Sequence, residues 1–156
     1  MKFGINIESS SSIFIDSNIV SNIKSRNIVG LDKAIDPIGG IMGCALIEGD
    51  YCTNLRITNN IVAGTLMAGY SAPGHQCGVY NPPLFKNNTA HSIEGVGAII
   101  YKNPADSTSD QCIEGSFFTA YKCTETGAVT YSKTQQAIFT NMTLIDNIVG
   151  VAINIG

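Results

Sequence analysis

The chain has 156 residues, a net charge of −3 and only 13% charged residues. That length serves one domain around one core. The sparse charge holds no basic cluster beyond the pair Lys24 and Arg26, which argues against a nucleic-acid partner. No run of 18 apolar residues is present to span a membrane.

The chain opens on alternation at Met1-Lys2-Phe3-Gly4-Ile5, and no signal-peptide core follows. A first short β-branched run, Ile13-Phe14-Ile15, precedes Asn18. Similar runs precede later anchors: Leu55-Arg56-Ile57 before Asn60, Leu84-Phe85 before Asn88, Ser116-Phe117 before Phe118, and Ile138-Phe139 before Asn141. Nine residues separate Asn60 from Gly69, Asn88 from Gly97 and Asn141 from Gly150. Phe118 to Gly127 keeps the interval with Asn replaced, and Asn18 to Asn27 keeps it with Gly replaced. Gly and Asn are the residues that most readily adopt positive φ, so Asn27, Gly69, Gly97, Gly127 and Gly150 are read as turns.

Successive anchors lie 42, 28, 30 and 23 residues apart. A coil of three short strands and three corners fits that period. The expected fold is all-β: a right-handed parallel β-helix of about five coils, a single domain over 1–156, with corner insertions near 31–53 and 102–114. The last residues, Val149 to Gly156, stop inside strand-like sequence, so the chain is expected to be a fragment of a longer one. Asn18, Asn60, Asn88 and Asn141 are candidates for a stacked amide ladder, with Phe118 interrupting it. Independent αL corners are the alternative.

From Asn59-Asn60-Ile61-Val62-Ala63-Gly64 to Val149-Gly150, the sequence resembles the fibrocystin and fibrocystin-L (polyductin-like) family. The features are Cys77 after Ala72-Pro73-Gly74; Phe85-Lys86-Asn87-Asn88-Thr89-Ala90-His91-Ser92; Cys112 before Glu114-Gly115; Phe118-Thr119-Ala120-Tyr121-Lys122-Cys123; and Asn141-Met142-Thr143-Leu144-Ile145-Asp146-Asn147. The resemblance implies part of a very large secreted or single-pass surface protein, often ciliary. The family's immunoglobulin-like repeats and membrane anchor are absent from these residues. No family catalytic residue falls on a matching position.

Cys77 with Cys112, and Cys44 with Cys52, are disulfide candidates in an extracellular setting, and Cys123 is left over as a small buried group. Reduced thiols are the alternative for all five. Two sequons, Asn87-Asn88-Thr89 and Asn141-Met142-Thr143, make Asn87 and Asn141 glycosylation candidates. Asn87 is the better acceptor if Asn141 points inward. His75 and His91 lack the partners a metal needs, and no cofactor or metal site is expected.

Two functions compete. The first is a structural or adhesive extracellular module, a stiff scaffold meeting other chains of a surface assembly. The second is a carbohydrate-binding or polysaccharide-degrading domain. Cleavage would need paired carboxylates, for which Asp16, Glu94, Glu125 and Asp146 are available. Stacking on the nine-residue interval puts Glu94 and Asp146 in adjacent rows. Binding would need exposed aromatics, for which Tyr70, Tyr101 and Tyr131 could line one face. No catalytic residue is assigned.

Overall fold

The computed structural model describes residues 3–7, 10–23, 39–44, 52–74, 77–78, 84–101, 112–130 and 136–153. Every strand pair among them is parallel, and the strands form three main sheets plus one small one. The long sheet stacks Phe3–Ile7, Gly39–Gly43, Ala68–Pro73, Val96–Tyr101, Thr126–Thr130 and Val149–Ala152. The middle sheet stacks Phe14–Asp16, Arg56–Thr58, Phe85–Lys86, Cys112–Ser116 and Gln136–Thr140. The short sheet stacks Ile19–Ser21, Ile61–Ala63, Thr89–His91, Thr119–Tyr121 and Thr143–Ile145. Ser10–Ser11 pairs with Cys52–Thr53 beside them. The chain visits middle, short and long sheets in turn, five times, so the architecture is a parallel β-helix.

This winding follows from local chemistry. Each strand is only a few residues long, and β-branched residues suit its pleat. Strand N–H and C=O groups pair with the coils above and below rather than within the coil. Inward residues consequently pile into columns. One runs Ile15, Ile57, Phe85, Gly115 and Phe139; another runs Val20, Val62, Ala90, Ala120 and Leu144. Tyr70, Phe85 and Phe118 form the aromatic centre, with ring centroids 5.5–6.0 Å apart.

The glycines do something other than turn. The register aligns Gly4, Gly40, Gly69, Gly97, Gly127 and Gly150 in one column of the long sheet. Gly69, Gly97, Gly127 and Gly150 sit inside strands and have no positive φ, which corrects their reading as turns. A Cβ on Gly97 would lie 2.4 Å from the Gly127 carbonyl oxygen and 3.1 Å from the Ala120 Cβ. From Gly4 to Gly127 the short sheet and the carbonyl of the next glycine leave no room for a side chain, whereas Gly150 in the last coil has space for one. Gly40 holds this place in its coil. Asn27 lies outside the described residues.

Ten of the residues with positive φ form two other rows at the corners. The first is Ser17, Asn59, Asn87, Phe117 and Asn141; the second is Asn22, Gly64, Ser92, Lys122 and Asp146. The expected insertion boundaries also shift. Gly39–Gly43 and Cys52–Thr53 are strands within 31–53, and Cys112–Ser116 begins within 102–114. Gly39-Gly40 reads as loop in isolation, but it belongs to the strand carrying the glycine column.

Candidate functional site

The most ordered polar feature is the corner between the middle and short sheets. A residue in the αL conformation turns the chain there, and the next backbone N–H needs an acceptor. Asparagine supplies it. Asn60 Oδ1 accepts from the Asn18 backbone N–H at 2.9 Å and from Asn18 Nδ2 at 3.0 Å. Asn88 Oδ1 accepts from the Asn60 backbone N–H and from Asn60 Nδ2, both at 3.1 Å. Asn60 Nδ2 also donates to Ile15 O at 2.9 Å, and Asn88 Nδ2 donates to Ile57 O at 2.7 Å. Asn60 and Asn88 are fully buried, and a buried amide of this kind costs stability unless it is paired.

The column continues from Asn88 to Phe118 and then to Met142, one residue after Asn141. Asn141 instead lies in the αL row beside Asn87 and is exposed. The displacement has a simple cause. Tyr121 aligns with Ile145 and Thr126 with Val149, so the last coil has one residue fewer at its second corner. Its Asn-to-Gly interval matches the others only by coincidence.

A second asparagine bridge occurs at that corner, at a residue the sequence reasoning did not single out. Asn147 Oδ1 accepts from the Cys123 backbone N–H at 3.0 Å, and its Nδ2 donates to Ala120 O at 3.0 Å. The signal was available as an Asn following an αL residue, but a single instance makes no repeat.

Outside the buried column runs an exposed counterpart. Asp16 Oδ1 accepts from Thr58 Oγ1 at 2.5 Å and Asn59 Nδ2 at 2.7 Å, and Ser17 Oγ donates to Asp16 Oδ2 at 2.8 Å. Asn87 Nδ2 donates to Asn59 Oδ1 at 3.2 Å. The Thr58, Ser17 and Asn59 donors together hold the Asp16 carboxyl below its ordinary value. A lowered folded-state pKa gives stability above the unfolded value, lost as pH falls through the folded one. We expect Asp16→Asn to lower Tm slightly at pH 7 and to converge with the parent chain once pH falls well below about 4, so that the variant's Tm declines less steeply with acid.

Tyr70 ties the column to the core. Its hydroxyl lies 2.7 Å from Asn60 O and 2.9 Å from Thr89 O, and burial pushes its pKa up. Tyr70→Phe should cost about 1 kcal/mol in urea unfolding, because a buried hydrogen bond is lost although Asn60 O keeps the Thr89 backbone N–H.

The carbohydrate candidates are not brought together. Tyr70 and Tyr101 are buried, and the Tyr101 hydroxyl meets the carbonyls of Gly43 and Cys44. Tyr131 lies outside the described residues, so no tyrosine stripe forms from Tyr70 and Tyr101. Glu94, Glu125 and Asp146 are exposed. Asp146 aligns with Lys122 and Ser92, and the row of Ile93, Cys123 and Asn147 separates it from Glu94. The two acids are therefore not in adjacent rows. Asp16 is engaged in the outer chain described above. Among the described residues, no group of three His, Cys, Asp or Glu is placed to hold a metal. His91 stacks on Tyr121 of the next coil at 4.8 Å between ring centroids, with planes 6° apart. His75 lies outside the described residues.

A disulfide joins Cys44 and Cys52, with a Cα–Cα distance of 5.8 Å. Cys77 is also disulfide-bonded, and the side chain of Cys112 lies outside the described residues. Gly78 N donates to Glu114 at 3.0 Å, which brings the turn after Cys77 against the strand that begins at Cys112. Cys123 is a buried free thiol, its pKa raised by desolvation.

Comparison with known proteins gives similar sequences of one kind. Fibrocystin-L of Homo sapiens is 35% identical over 112 residues, 70% of this chain. Fibrocystin of Mus musculus is 31% identical over 105 residues, and that of Canis lupus familiaris 30% over 106 residues, each 67% of the chain. The chain spans about 2% of the length of each of these curated relatives. No family model matches, and no solved structure matches. The resemblance read from the residues therefore stands, over about two thirds of the chain.

Proposed function

We propose, from its likeness to fibrocystin and fibrocystin-L, that the chain is a stiff structural and adhesive segment of a large extracellular or ciliary surface protein. The observation that carries this reading is the unbroken register of the long sheet through six parallel strands. Solenoids of this kind are quasi-one-dimensional, and each coil contacts only its neighbours. Their length sets a spacing, and their side faces offer repeated rows to other chains of a surface assembly or to glycans. Disulfide bonding of Cys44, Cys52 and Cys77 accords with an oxidising compartment. No helix among the described residues is long and apolar enough to cross a membrane.

The test is surface labelling of the native protein with an antibody raised against this chain. Label on unpermeabilised cells is the expected result. Label seen only after permeabilisation would overturn the proposed location and, with it, the adhesive role.

A further inference from the structure

The chain contains two Asn-x-Thr sequons, at Asn87 and Asn141. The fold puts both asparagines in a single corner row, that of Ser17, Asn59, Asn87, Phe117 and Asn141, with φ of 55° at Asn87 and 54° at Asn141. Both are exposed. Their hydroxyl partners, Thr89 and Thr143, share the row that also holds Thr119, and neither is buried. One coil separates the two acceptors, so they lie roughly 10 Å apart along the stack at the usual strand spacing. Asn59, in the same row, is followed at the third place by Ile61 and makes no sequon. The buried Asn88 makes none either.

We infer that Asn87 and Asn141 both carry N-linked glycans, and that this one corner is the glycan-bearing edge of the β-helix. The inference rests on the extracellular reading above. In the transfer, Nδ2 of the asparagine attacks C1 of an oligosaccharide carried on a polyisoprenoid diphosphate. An N–C1 bond forms, the C1–O bond breaks, the diphosphate leaves with the electron pair, and the amide nitrogen loses one proton. The product keeps one N–H on the nitrogen that donates to Asn59 Oδ1 at 3.2 Å. Two bulky sugars on one edge screen the corner rows from other chains and leave contacts to the faces away from that edge.

The test expresses the full chain behind a cleavable secretion signal in mammalian cells. Medium and lysate are both treated with peptide N-glycosidase, followed by intact-mass and peptide mass spectrometry. Two glycans are expected on the parent chain, one on Thr89→Val, one on Thr143→Val and none on the double variant. These changes remove the sequon and leave the αL asparagine in place. Unmodified Asn87 or Asn141 in most copies of the directed chain would overturn the inference. Reading the lysate keeps poor export from hiding the result. Native protein found unmodified in the cytosol would sink the location instead, while the directed chain would still report on the acceptors.

Discussion

Gly97→Val should destabilise the chain by about 3 kcal/mol and lower Tm by roughly 5–10 °C. The added Cβ would meet the Gly127 carbonyl oxygen at 2.4 Å, the Ala120 Cβ at 3.1 Å and the Cys123 sulfur at 3.2 Å. A backbone oxygen cannot swing aside, so either the coil spacing opens or the short sheet moves. Both displace neighbouring coils, because each column is shared. Gly150→Ala is the internal control. At the last coil its Cβ would find only Leu144 carbons, at 3.6 and 4.0 Å, which is ordinary contact. Its cost should stay within about 0.5 kcal/mol. Similar losses at both positions would mean that the steric account of the glycine column is wrong.

The second large effect is expected at Asn88. Asn88→Ala removes the acceptor for the backbone and side-chain N–H groups of Asn60 and the donor to Ile57 O. These groups are buried with no route to water, so the expected loss is about 3 kcal/mol in urea unfolding. Asn141→Gly should be neutral within about 0.5 kcal/mol, because that asparagine is exposed and glycine adopts its αL backbone freely. The contrast separates a hydrogen-bonded column from asparagines that merely tolerate corners. Equal losses at the two sites would favour the second view.

Much of the fold could be read from the residues. The spacing of Asn60, Asn88 and their preceding strand-like runs led directly to stacked coils, because a parallel solenoid repeats its side chains at each turn. Two things misled. Glycine has two uses, positive φ and absent bulk, and Gly69, Gly97 and Gly127 serve the second. The true αL corners include Phe117 and Lys122, residue types with no local signal for that conformation. The last coil drops one residue at a corner, which no pattern within that coil reveals. It appears only when Thr126 is seen beside Val149. Asn141 moved from inside to outside for that reason, and its standing as a glycan acceptor rose accordingly. Glu94 and Asp146 lost their proposed adjacency through the same shift.

The central claim is tested most directly by nuclear Overhauser contacts in the isotope-labelled chain. Gly97 should show contacts to Gly69 on one side and Gly127 on the other, with the amide-to-Hα pattern of parallel strands. Strong Hα–Hα contacts of antiparallel pairs, or a Gly97 bordered by only one of the two glycines, would contradict it.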